Sequence, residues 1–347
     1  MDSPKIRKET KNKIYVDYAD KTPYWQRVKN KFTSSYTWVK ILIGIFRFVL
    51  MLGVSYVILY PFFTKIAGSF MSRTDVIDST VNLIPKHFTL EIYQYLIEEK
   101  HYFSALLNTT LLSLSCALIQ TFICCMIGYG FAKFKFKGNK VLFIAVVVTM
   151  IIPHNTLKLS LLQHFSGFDI GRVLSWDYKG IIELIMGSRP QLTNTFWPLI
   201  ILSISGLAFK NGLYIFMMRQ FFKGVPDELE ESAYVDGSGV FRTFFQIIIP
   251  LSVPMLITIF LFSFSWQWTD NFYTTLFFTD TAGKMTLMPD LFKNISDEFL
   301  TDYSGRVIYE NVVKNTAGIM IIAPLIIIYL FCQKYLVQGI ERSGIVG

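Results

Sequence analysis

A chain of 347 residues with 52% hydrophobic side chains, 17% charged ones and 32 phenylalanines is too apolar for a soluble protein, in which about a quarter of residues carry charge. The formal net charge of +8 does not point to nucleic acid. Ten of the 33 Lys and Arg lie in residues 1–40, and four more (Lys133, Lys135, Lys137, Lys140) share one short loop, as on the cytoplasmic side of a membrane protein. Cys116, Cys124, Cys125 and Cys332 fall in apolar runs without a spaced CxxC pair, and the histidines are not clustered, so neither a metal site nor a disulfide framework is expected.

The tail, residues 1–40, mixes its basic groups with Tyr15, Tyr18, Tyr24, Trp25, Phe32, Tyr36 and Trp38. Two readings stand: a partly disordered basic arm lying on anionic lipid headgroups, or a helix that packs beside the transmembrane core. So long a polar start does not fit the n-region of a cleavable signal peptide. Residues 41–347 form the membrane domain. A spanning helix needs ~20 mostly apolar residues, and six runs qualify: Ile41–Phe63, Ser104–Phe131, Val141–Leu162, Phe196–Met218, Ile247–Phe278 and Val313–Tyr335. Pro250 and Pro254 predict a bend in the fifth. The segments 64–103, 163–195 and 279–312 hold at least as many acids as bases, which puts both termini inside. The expected fold is an all-α integral membrane domain of six transmembrane helices, N-in/C-in. The long segment 163–195, with Gly167, Gly171, Gly180 and Gly187, either meets an external partner or caps a pore mouth.

The loop 219–246 carries the most information. Pro226 suits the first turn of a helix; Asp227, Glu228, Glu230 and Glu231 suit the positive end of its dipole; Gly237 suits a left-handed cap. The spacing predicts a helix of about three turns over Asp227–Asp236, with Leu229 and Ala233 as its apolar edge.

Glu231-Ser232-Ala233, then Gly237, then Ile247-x-Ile249-Pro250 resembles the EAA signature of ABC importer permeases, with Ser for the middle residue and Ile for Leu. Arg219-Gln220-Phe221-Phe222, Pro226-x-Glu228-Leu229 and Val235-Asp236-Gly237 resemble its carbohydrate-uptake, maltose-type branch. The resemblance, over about Phe48–Gly347, implies a type I importer transmembrane domain whose short helix is a cytoplasmic coupling helix. Glu228, Glu231, Ala233, Asp236, Gly237 and Pro250 would then serve coupling to an ATPase, Glu231 through polar contacts, Ala233 and Gly237 through close approach. The glycine-rich tail, within 336–347, resembles one that reaches into the ATPase dimer, but Val346 stands where relatives often have lysine.

No phosphate loop is present, so the resemblance assigns ATP and Mg to a separate ABC ATPase dimer. It also implies a second homologous permease, an extracytoplasmic solute-binding protein and a bacterial cytoplasmic membrane, with no cofactor, catalytic residue or metal in this chain. For a sugar path the polar, aromatic end of the fifth run stands out: Ser263, Ser265, Trp266, Gln267, Trp268, Thr269, Asp270, Asn271 and Tyr273. An interfacial aromatic belt is the other reading. Lys210, with Asn211 in the fourth run, either pairs with Asp270 or lines an aqueous cavity. An importer of amino acids, phosphate or polyamines is the alternative solute class; a membrane-embedded enzyme fits less well, since His87, His101, His154 and His164 are scattered.

Overall fold

A computed structural model describes residues 5–9, 15–19, 23, 25–26, 35–170, 180–279, 285–300 and 305–344, in two compact units, residues 1–64 and 65–347. In the first unit, strands β1 (Lys5–Glu9) and β2 (Tyr15–Ala19) pair antiparallel, Lys5 opposite Ala19 and Glu9 opposite Tyr15. These two stretches of the tail are strands and not helix, while the elements described from Ser35 to Gly344 are all helical, as expected of the membrane domain. Ile6, Tyr15, Val16 and Tyr18 are residues that favour a pleated strand over a helix. Helix α1 (Ser35–Gly68) follows; every residue from 38 to 63 is exposed, an apolar surface suited to lipid.

In the second unit, short helices Arg73–Ile77 and Glu91–Glu98 precede α2 (Tyr102–Lys133), α3 (Asn139–Ile151), α4 (Lys158–Ser166), α5 (Trp197–Ile204), α6 (Asn211–Lys223) and α7 (Glu228–Val235). Then come α8 (Ile249–Trp268), α9 (Phe272–Phe277) and α10 (Arg306–Gly344). Among the described residues four helices are long and apolar enough to cross a membrane: Trp38–Gly68, Tyr102–Lys133, Val240–Trp268 and Arg306–Leu336.

Helix α2 is the centre of the unit, packed against α5, α6 and α8. A side chain at Gly128 would put its Cβ 2.5 Å from Met218 Cβ and 3.0 Å from the Arg219 backbone nitrogen, so only glycine permits α2 and α6 to approach this closely. Deeper in, Ser263 Oγ donates to the Gln120 amide oxygen Oε1 at 2.7 Å, and Gln120 Nε2 donates to Ser203 Oγ at 3.1 Å. All three residues are buried, and the network ties α2, α5 and α8 together by polar contacts that lipid cannot replace.

The other two apolar runs are broken. Val141–Leu162 ends its first helix at Ile151, because Pro153 lacks a donor and disfavours α geometry in the residue before it; the chain then turns by 94°. Phe196–Met218 divides into α5 and α6 at residues 205–210, where Gly206 and Lys210 have φ +73° and +69°. In the fifth run the prolines are accommodated by a π turn before α8: Phe244–Ile248 form it, with Ile249 N–H reaching Phe244 C=O next to the donor missing at Pro250. The expected continuation to Phe278 is a separate helix, α9. Within 163–195, buried Asp169 accepts from the Ile182 backbone N–H at 2.8 Å and holds the short helix Ile181–Met186. Residues 171–179, and the tail residues Ile345–Gly347, lie outside the described residues.

Gly128→Val is expected to destabilise the protein by about 1–3 kcal/mol through overpacking at the α2–α6 contact. Thermal unfolding in detergent measures it; an unchanged midpoint would contradict the packing described.

Candidate functional site

Two places in the second unit concentrate polar groups. The first is α7, held at the end of α2. Its eight residues make about two turns, one fewer than expected, because Pro226 stays outside and Asp227 only caps. At the other end Gly237, φ +81°, donates to Tyr234 C=O at 3.0 Å while Ser238 donates to Ala233 C=O at 2.9 Å, a Schellman closure.

Ala233 and Glu230 form the buried face of α7, and Leu229 turns outward with Tyr234 and Val235; the expected Leu229–Ala233 edge is thus split between two faces. Tyr129 donates to Glu230 Oε2 at 3.1 Å. The almost buried Lys133 ammonium lies 3.6 Å from Glu230 Oε1, donates to Val225 C=O at 2.6 Å and reaches Asp227 Oδ1 at 2.5 Å. That hydrogen bond and charge hold the exposed Asp227 carboxyl below the usual aspartate range. Glu228, Glu231 and Asp236 are exposed; Pro250 is exposed at the start of α8. Sequence reasoning missed Tyr129, Lys133 and Glu230. The readable signal was the i, i+4 spacing of Tyr129 and Lys133 on one helix face.

The second place is the break between α5 and α6. A cavity of about 270 Å³ is lined there by Lys210, Gly212, Leu213, His154 and Tyr273 among others. Lys210 Nζ sits 4.7 Å from the Phe209 ring centre and 4.8 Å from that of Trp266. His154 Nδ1 and the Tyr273 hydroxyl are 2.9 Å apart. Asp270 forms no salt bridge with Lys210; its carboxylate accepts from the backbone N–H of Tyr273 at 3.3 Å and Thr274 at 3.0 Å, capping α9. Gln267 lies beside Asp270 and Trp266 in a small adjoining crevice.

Three of the sequence-chosen residues stand apart. Trp268 is buried in the core, donating Nε1–H to Ile321 C=O at 3.0 Å, so it packs α8 on α10 instead of lining the cavity. Asn271 is exposed at the start of α9. Asn211 is fully buried, and its side-chain oxygen and nitrogen have no hydrogen-bond partner. His154 was not chosen; Pro153, which ends α3 and so positions it, was the available signal.

A family model described as "Binding-protein-dependent transport system inner membrane component" matches residues 125–342. The chain is 27% identical to the arabinooligosaccharides transport system permease protein AraQ of Bacillus subtilis, covering 88% of this chain and 96% of that one. It is 25% identical to the polygalacturonan/rhamnogalacturonan transport system permease protein YtcP of the same organism, covering 87% and 97%. A solved bacterial ABC transporter involved in the import of the acidic polysaccharide alginate has the same fold, with TM-score 0.64 and 22% identity over 86% of this chain and 97% of that one.

A double-mutant cycle of Lys133→Met and Glu230→Gln is expected to give a coupling of about 1–3 kcal/mol in unfolding free energy. Asp227→Asn should change little, since an exposed pair contributes little. Because the folded Asp227 value is lowered, its contribution is present at neutral pH and is lost only as pH falls through that lowered value. A flat cycle would remove the anchoring role.

Proposed function

Because the chain belongs to the family of binding-protein-dependent transport system inner membrane components, we propose that it is one of two permease subunits of an ABC importer for oligosaccharides. The chain is a transport subunit and not an enzyme. Its relatives' names cover arabino-oligosaccharides, galacto-oligosaccharides and polygalacturonan, so sugars are the common class, with neutral and acidic members both represented. A homologous permease completes the path, a solute-binding protein delivers the sugar, and an ABC ATPase dimer uses ATP and Mg.

The membrane reading has six crossings with both termini in the cytoplasm. The four long helices supply four, the bent α3–α4 region a fifth and the broken α5–α6 run a sixth, and the distribution of Lys and Arg sets the orientation. In this arrangement α7 is the cytoplasmic coupling helix.

The observation that carries the proposal is α7 itself: a short helix between α6 and α8, gripped from behind by Tyr129 and Lys133, with Leu229, Glu231 and Val235 uncovered in front. ATP-driven closure of the ATPase moves α7, and α7 moves the helices that grip it, shifting the path between inward-open and outward-open states. Glu231 supplies polar contact, and the cap at Gly237 keeps the end of α7 low enough for a partner to approach.

Glu231→Lys and Gly237→Asp are expected to lower sugar-stimulated ATP hydrolysis and uptake by about tenfold or more, equivalent to ~1.4 kcal/mol, while subunit folding is retained. Reconstituted vesicles with the partner subunits give the measurement; full uptake in both variants would overturn the docking role.

A further inference from the structure

We propose that the cavity at the α5–α6 break is a carboxylate-binding subsite, and that the transported oligosaccharide is therefore acidic, bearing uronate units. This rests on the reading of the chain as a sugar permease and specifies the chemistry of its cargo.

The first observation is a positive charge without a counter-charge. Lys210 lines the cavity, and no carboxylate of the described residues forms a salt bridge with it. A lysine at membrane depth is costly unless water or an anion meets it. Phe209 and Trp266 lie under the ammonium and hold it in place without neutralising it. Asp270, the acid beside Tyr273 and Trp266, is committed to the backbone N–H groups of α9.

The second observation is independent of the lysine. Helix α6 begins at Asn211, so its positive dipole end lies at this break. The backbone N–H groups of Gly212 and Leu213 belong to its first turn, where no intrahelical acceptor exists. Neither has a hydrogen-bond acceptor among the described residues, and both residues line the cavity. A helix broken within a membrane and opening its N-terminus on a cavity is an arrangement that receives anionic groups.

Across the cavity, the hydrogen-bonded His154 and Tyr273 offer polar atoms to sugar hydroxyls, while Leu157, Leu161 and the Tyr273 ring offer apolar surface to sugar C–H groups. About 270 Å³ is at the small end of ligand pockets, so the subsite holds part of a chain. A neutral sugar would leave the charge and both N–H groups uncompensated. A uronate carboxylate meets all three.

The test uses the assembled transporter, with partner permease and ATPase, in lipid nanodiscs. Tryptophan emission is titrated with digalacturonate and, separately, with the neutral galactobiose; a Trp266→Phe variant isolates the reporter that lies beside Lys210. Digalacturonate is expected to bind at least about tenfold more tightly than galactobiose, a difference of ~1.4 kcal/mol. Lys210→Met should abolish that preference, and Lys210→Arg should retain it. Equal affinity for the two sugars, or an unchanged preference in Lys210→Met, would overturn the subsite. If Lys210→Met instead dissociates the two permeases without altering sugar preference, the lysine belongs to their interface and the proposal fails. ATP hydrolysis is followed in parallel with both sugars delivered by the binding protein. Stimulation by the neutral sugar alone sinks the acidic cargo and leaves the permease reading standing; no stimulation or binding by either sugar sinks both.

Discussion

A helix of two turns has no stability of its own in water, because nucleation costs more than so few hydrogen bonds return. That α7 exists as a defined element depends on the contact between its buried face and the end of α2. Lys133 meets Glu230, Asp227 and the Val225 carbonyl at once, and Tyr129 takes the second oxygen of Glu230. A charge this buried is tolerable only when several acceptors surround it. The same acceptors make the contact a stiff joint, since α7 cannot shift without moving α2.

Stiffness continues from α2 into the rest of the unit. Gly128 lets α2 sit directly on α6, and the Gln120 amide joins α2 to α5 and α8 by hydrogen bonds sealed from water. Both segments that flank the α5–α6 break are therefore fastened to the helix that grips α7. A displacement at one end of α2 has a physical route to the cavity beside Lys210. Interrupting the membrane run at 205–210 gives up regular hydrogen bonds, which is tolerated where backbone lines a cavity and not where it faces lipid.

Much of this was readable in the sequence where one rule acted alone. Apolar length located the long helices, and the acids after Pro226 together with Gly237 located α7 to within a residue or two. The breaks were harder, because hydropathy does not register backbone geometry: Phe196–Met218 stays apolar enough on average to read as one span, and only Gly206 and Lys210 hinted at its interruption. Pairings between distant segments were not legible. Nothing near Glu230 in the chain identifies Lys133, 97 positions earlier, as its partner. Trp268 was assigned to the path for a related reason: on α8 it is two residues from Trp266, so Trp266 lies beside Asp270 in the small crevice while Trp268 enters the core against Ile321. The paired strands of the tail followed from β-favouring residues that its basic composition obscured.

In the proposed function the outer face of α7 is where a nucleotide-hydrolysing partner engages. The most direct measurement places a photo-crosslinking amino acid at Val235, 88% exposed on that face, and at Val225, 7% exposed behind it. In the assembled transporter the account predicts crosslinks from position 235 to the ATPase subunit and none from position 225. Crosslinks from position 235 only to lipid or to the partner permease would contradict it.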